Sequence, residues 1–260
     1  MSISKAISKV ADENYENDIK RYKRIQLKNP FKYKTFDKPY ITFCFDDGTN
    51  DCDKIASIFK EFGYPMCLSL PPDSLNTVCI GLQNASNGFT VNMKVKEVAN
   101  KVIENGGEVL CHSWTPITKD TIKNKDLLVE TFITNVKVLR DAGFEVNGIM
   151  TAGGAGALDG GLEQSGDILQ YWASIEFDYS DRYGFTEDYF YPRMNLGDSL
   201  AMNKTRIDDA VNHNKWIIFF GHALQSTGNY TEENLRTILQ YCKDNNVSVV
   251  PYKYIYNTFK

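Results

Sequence analysis

The chain has 260 residues, enough for one large domain or two small ones. Hydrophobic residues make up 42% and charged residues 24%, the balance of a globular protein rather than a fibrous or disordered one. A formal net charge of -4 offers no basic footprint for nucleic acid, and no run of 18 apolar residues exists to span a membrane.

Residues 1–30 read as a helical arm. A polar helix is predicted over residues 4–25, with Ile3, Ile7 and Val10 on one face to dock on the domain or on a partner. Asn29-Pro30 ends it, and residues 31–260 read as a single α/β domain. A first strand spans residues 40–45, followed by a helix over 51–62 that Gly63 stops. A strand over 65–70 leads through Pro71-Pro72 into a long polar excursion to residue 90. A helix over 91–105, a strand over 108–112, a helix over 126–142 and a strand over 144–150 come next.

The glycine-rich run 151–156 lacks the Lys-Ser/Thr of a phosphate-binding loop and reads as a rim loop. A short helix to residue 171 and a strand over 172–177 follow. Beyond them lie a helix over 204–212, an apolar strand over 215–220, a helix over 231–245 and a last strand over 247–251. About seven β-α units without repeats or linkers imply a parallel sheet, whose functional groups gather at the C-terminal strand ends. The six cysteines have no metal-type spacing. Cys44, Cys67 and Cys111 lie in apolar runs and read as reduced core residues, expected of a reducing compartment.

Three strand ends carry chemistry. The first closes on Asp46-Asp47-Gly48, two adjacent carboxylates that need a cation, a shared proton or water if buried. The alternative is a plain Asp-Asp-Gly turn, with Asp51 or Asp53 starting the next helix. His112 and His222, two of only three histidines, terminate two other apolar strands.

Together, FCFDDGT, HSWTP and the late strand ending FFGH resemble the polysaccharide deacetylases of the NodB-homology type, the carbohydrate esterase family 4. The segment YFYPRMNL before the last of these also resembles one subgroup of that family, and the resemblance runs from about residue 38 to the C-terminus. It implies a distorted seven-stranded (β/α) barrel that removes N-acetyl groups from amino sugars of a cell-wall or cell-surface glycan. It further implies that Asp47 and His112 bind a divalent metal, expected to be zinc. Asp46 would be the general base and His222 the general acid for the leaving amine. Zinc lowers the pKa of bound water to about 7 and polarises the amide carbonyl.

The chain departs from the family pattern at two places. The second histidine of the HSWTP motif would fall at position 116, which is Pro116. The arginine-bearing third motif is replaced by Met150-Thr151-Ala152-Gly153-Gly154, leaving Arg193 or Arg182 to orient Asp46. Trp114, Tyr191 and Arg193 are the residues read as substrate-binding, although such rings are more often ordinary packing. Two functions follow: a metal-dependent glycan deacetylase, or a barrel without its metal that binds glycan or serves structurally. Residues 1–22 carry no apolar signal segment. The expectation is synthesis in the cytoplasm and export within a larger assembly, such as a bacteriophage particle, through the N-terminal helix.

Overall fold

The computed structural model describes residues 35–49, 51–70, 95–112, 139–146, 148–150, 179–180 and 193–259. The expected helix over 4–25, the excursion after Leu70, the glycine-rich run and the strand over 172–177 lie outside the described residues. Two compact units divide the chain, one of Met1–Lys32 and Leu110–Tyr191 and the other of Tyr33–Val109 and Pro192–Lys260.

The second unit is built on strand β1 (Tyr40–Asp46), every residue of which is buried. Parallel to all of it but Asp46 runs β7 (Trp216–Gly221), in register from Tyr40 opposite Trp216 to Phe45 opposite Gly221. β6 (Arg193–Asn195) pairs with β7 on the far side. Two short strands share the other edge of β1. β2 (Cys67–Leu70) bonds its C-terminal half, and β8 (Ser248–Val249) bonds its first two residues. All of these pairings are parallel, as the β-α alternation of the sequence predicts.

Alternation along β1 divides two kinds of residue. Phe43 and Phe45 pack against Phe59 of helix α1 (Cys52–Phe62), with ring centroids 5.3 and 5.4 Å apart, and Phe43 stacks on Phe219 at 5.4 Å. Burial of each such ring contributes about 2 kcal/mol. Thr42, Cys44 and Asp46 alternate with them. Thr42 Oγ1 donates to Val250 O and accepts from Trp216 Nε1, so that buried hydroxyl is satisfied on both counts. The glycine stop for α1 is realised, with Gly63 at a φ of 71° in the left-handed region.

Helices α2 (Val95–Glu104), α3 (Leu200–His213) and α4 (Glu232–Asp244) complete the layer around this sheet. α3 begins four residues before its predicted start, because Ser199 accepts from Met202 N and sets an N-cap there. Thr231 caps α4 the same way, accepting from Asn234 N. Two elements are corrections to the sequence reading. β6 is three residues of mixed polarity, defined by its pairing with β7 rather than by pattern. Helix α5 (Tyr252–Phe259) follows β8 where only a strand was expected, and Glu108 Oε1 accepts from Lys253 N in its first turn.

The boundary between the units falls within β3 (Glu108–His112). In the first unit its last residues pair in parallel with β4 (Gly148–Met150), which pairs with β5 (Tyr179–Ser180). The expected strand over 144–150 is reduced to its last three residues. Among the described residues no helix is long and apolar enough to cross a membrane.

Candidate active site

The C-terminal ends of β1 and β7 and the first residue of β6 bring four of the predicted residues together. Asp46, the last residue of β1, is 2% exposed, and Arg193 Nη1 donates to both of its carboxylate oxygens at 2.9 Å. The two side chains are only 3% and 5% exposed, so the ion pair is desolvated. Cys44, two residues earlier on the same face, approaches Asp46 Oδ1 with its Sγ at 3.7 Å. The Arg193 guanidinium also lies over the Phe220 ring, 5.0 Å from its centroid, and the His222 ring meets Phe220 edge-on at 5.8 Å. Phe220 thus contacts both the guanidinium and the imidazole. Arg193, one of two arginines expected to orient Asp46 and also read as substrate-binding, is held on Asp46; Arg182 lies outside the described residues.

Asp47 is diverted from its neighbour by the backbone. Its φ of 73° lies in the left-handed region, which costs a residue with a Cβ about 1–2 kcal/mol. Gly48 continues the turn at φ 63°, and Asp47 N donates to Ser69 O at 3.0 Å, tying the turn to the end of β2. The Asp47 carboxylate faces His222, with Nε2 to Oδ2 at 3.5 Å. The His222 side chain is 44% exposed and that of Asp47 11% exposed. Adjacent carboxylates therefore have separate partners: one has a buried arginine, the other a histidine open to solvent. Such division suits two protonation roles in one site.

Behind this pair lies a buried polar cluster that the sequence reading did not include. Asp51, 5% exposed, accepts from Thr49 Oγ1 at 2.9 Å and from the backbone N of Leu224. Burial pushes its carboxyl up from the usual carboxylate range, against the lowering effect of those two bonds. The Tyr230 hydroxyl is buried with no hydrogen-bond partner among the described residues, and burial beside Asp51, Cys52 and Asp46 raises its pKa strongly. A Cβ on Gly221 would lie 2.6 Å from that hydroxyl, so a larger residue before His222 would force the Tyr230 ring to shift. Nothing in the local sequence reveals this cluster, since Asp51 and Leu224 are 173 residues apart.

In the first unit His112 is 3% exposed and its Nδ1 lies 3.1 Å from Met150 O, the residue opposite it in β4. The carbonyl can only accept, so Nδ1 is the donor of that bond. Trp114, Pro116 and Tyr191 lie outside the described residues.

Asp47 and His112 are donors of the right chemistry for a divalent cation. A catalytic zinc, however, takes three protein ligands. Proline at position 116 supplies none, and among the described residues no three His, Cys, Asp or Glu side chains come together. Among the described residues, and with proline at position 116, the donors fall short of a three-ligand zinc centre. The described cysteines, Cys44, Cys52, Cys67, Cys111 and Cys242, are buried, and burial pushes the Cys242 thiol up to about 12.

No protein-family model and no curated protein matches the sequence. Solved structures do. A Streptococcus mutans CE4 esterase aligns over 83% of this chain and 86% of its own, at 16% identity and a TM-score of 0.55. The catalytic domain of a peptidoglycan N-acetylglucosamine deacetylase from Eubacterium rectale aligns over 82% of this chain and 88% of its own, at 11% identity and a TM-score of 0.54. A mutant of a CE4 family pseudoenzyme with restored enzymatic activity aligns over 85% of this chain and 68% of its own, at 14% identity and a TM-score of 0.51. This chain, whose parallel strands β1 and β7 lead into Asp46, Asp47 and His222, has the fold of the carbohydrate esterase family 4 polysaccharide deacetylases.

Proposed function

We propose that the protein hydrolyses the N-acetyl group of an amino sugar in a cell-wall or cell-surface glycan. The observation that carries this reading is the pairing of the two adjacent carboxylates, Asp46 on buried Arg193 and Asp47 on half-exposed His222. In the reaction Asp46 takes a proton from the attacking water, which adds to the acetyl carbonyl. His222 then gives a proton to the departing sugar amine, and acetate and a free amine leave. Arg193 keeps the Asp46 carboxylate in one orientation throughout, which is what general-base efficiency requires. No step is assigned to a metal, because position 116 removes a ligand from the set.

A second reading has one observation in its favour, the same Pro116: a glycan-binding module that no longer turns over. The test is acetate release from acetylated chitooligosaccharides and from peptidoglycan, with and without added zinc. Isothermal titration of the same glycans runs alongside. Release that is lost in Asp46→Asn and in His222→Ala supports hydrolysis. Glycan binding with no release under any of these conditions overturns it in favour of the binding module.

A further inference from the structure

Resting on the acid–base reading above, we infer that Asp51 is a positioning residue that sets His222 against Asp47 by holding the backbone of the loop after β7. His222 stands just beyond the last residue of that strand, where the β1–β7 ladder no longer constrains it. Two residues further on, Leu224 N donates to Asp51 Oδ2. The other oxygen, Oδ1, accepts from Thr49 Oγ1 in the turn that carries Asp47. One buried carboxylate therefore ties together the two loops whose side chains meet 3.5 Å apart as Asp47 and His222.

Asp51 occupies the N-cap position of α1 yet makes no side-chain cap bond to that helix. An aspartate there ordinarily accepts from the N–H groups of its own first turn. Here both oxygens are directed elsewhere, so the residue serves the loops and not the helix. The remainder of the His222 loop is closed on the same spot. Gln225 N donates to Tyr230 O at 2.7 Å, and the Tyr230 hydroxyl end packs where Gly221 lacks a side chain. Asp51 anchors the backbone of this loop at Leu224 N, separately from the Asp47 contact to the His222 side chain.

The test compares Asp51→Ala with Asp51→Asn in the full chain. Asparagine keeps an oxygen that can accept from Leu224 N; alanine does not. For Asp51→Ala the expected result is a fall in kcat of roughly ten- to a hundredfold on acetylated chitooligosaccharide, the scale of a displaced catalytic group. KM should stay within about twofold, and Asp51→Asn should recover most of the loss. The Leu224 amide, followed by hydrogen exchange, should be protected in wild type and Asp51→Asn and exposed in Asp51→Ala. Unchanged kcat in Asp51→Ala, or loss in both variants in proportion to lost stability, overturns the inference. Should Asp51→Ala not fold, Asp51→Glu moves the acceptor by one methylene and should lower kcat with KM retained. If wild type releases no acetate, the acid–base reading fails. The Leu224 amide together with the His222 ring shift then decides the positioning role, and no change of either in Asp51→Ala overturns it.

Discussion

The two ends of β1 are built from opposite chemistry. At its N-terminal end Tyr40 is boxed by Phe36, Tyr254 and Phe259, with ring centroids 5.7, 5.9 and 5.4 Å away, and Trp216 packs edge-on to Tyr252 at 5.8 Å. The strand, seven residues long from Tyr40, leads to Asp46 and then Asp47 with their cationic or ionisable partners. The aromatic end closes the core by edge-on and tilted ring packing, with the Tyr40 hydroxyl donating to Asp37 Oδ1 at 2.9 Å. The acidic end accepts desolvated charge, a left-handed aspartate and a buried hydroxyl without a partner among the described residues. Strain and buried polarity gather at the candidate site, at a cost the apolar end offsets.

Four measurements would break or sharpen this contrast. Arg193→Ala leaves the Asp46 charge buried without its guanidinium; a destabilisation of about 3–5 kcal/mol is expected in urea unfolding, together with loss of acetate release. Phe36→Ala at the other end should cost about 3 kcal/mol by the same assay and leave kcat as it was, since Phe36 is 5% exposed and far along the strand from the carboxylates. Equal effects of the two on kcat would dissolve the distinction between the ends.

Gly221→Ala should cost about 1–3 kcal/mol, because the new methyl meets the Tyr230 hydroxyl and ring. Adding Tyr230→Phe should recover part of that cost, and Tyr230→Phe alone should be close to neutral. A Gly221→Ala protein as stable as wild type would mean the ring moves freely. The smallest effect is a slope. Burial raises the Asp51 carboxyl in the fold above its ordinary value of 3.8, so the folded state binds its proton more tightly than the unfolded chain does. Stability should fall as pH rises from about 3.8 through the raised folded value. Asp51→Asn should flatten that decline in unfolding curves taken across the window, and an unchanged slope would count against it.

Much of this was legible in the chain. The apolar runs at 40–45 and 215–220 appear as β1 and β7 within one residue at each end, because fully buried parallel strands have continuous apolar sequence. Gly63 and Thr231 mark helix ends through local backbone and side-chain geometry, which needs no tertiary partner. β6 was not legible: Arg193-Met194-Asn195 has no strand pattern and exists through its bonds to β7. The start of α5 was missed as well. Its sequence is rich in β-favouring tyrosine, and Glu108 in its first turn comes from 145 residues away.

By itself the sequence determined which residues stand at strand ends, since hydrophobic period, glycine stops and the abrupt change to Asp46-Asp47 and to His222 are local properties. Only the tertiary structure decided which group each of them meets. Arg193 is 147 residues from Asp46 and Leu224 is 173 from Asp51. Hydrogen bonds across such separations depend on how strands pair and where loops return, and neither is written in the spacing of the residues that make them.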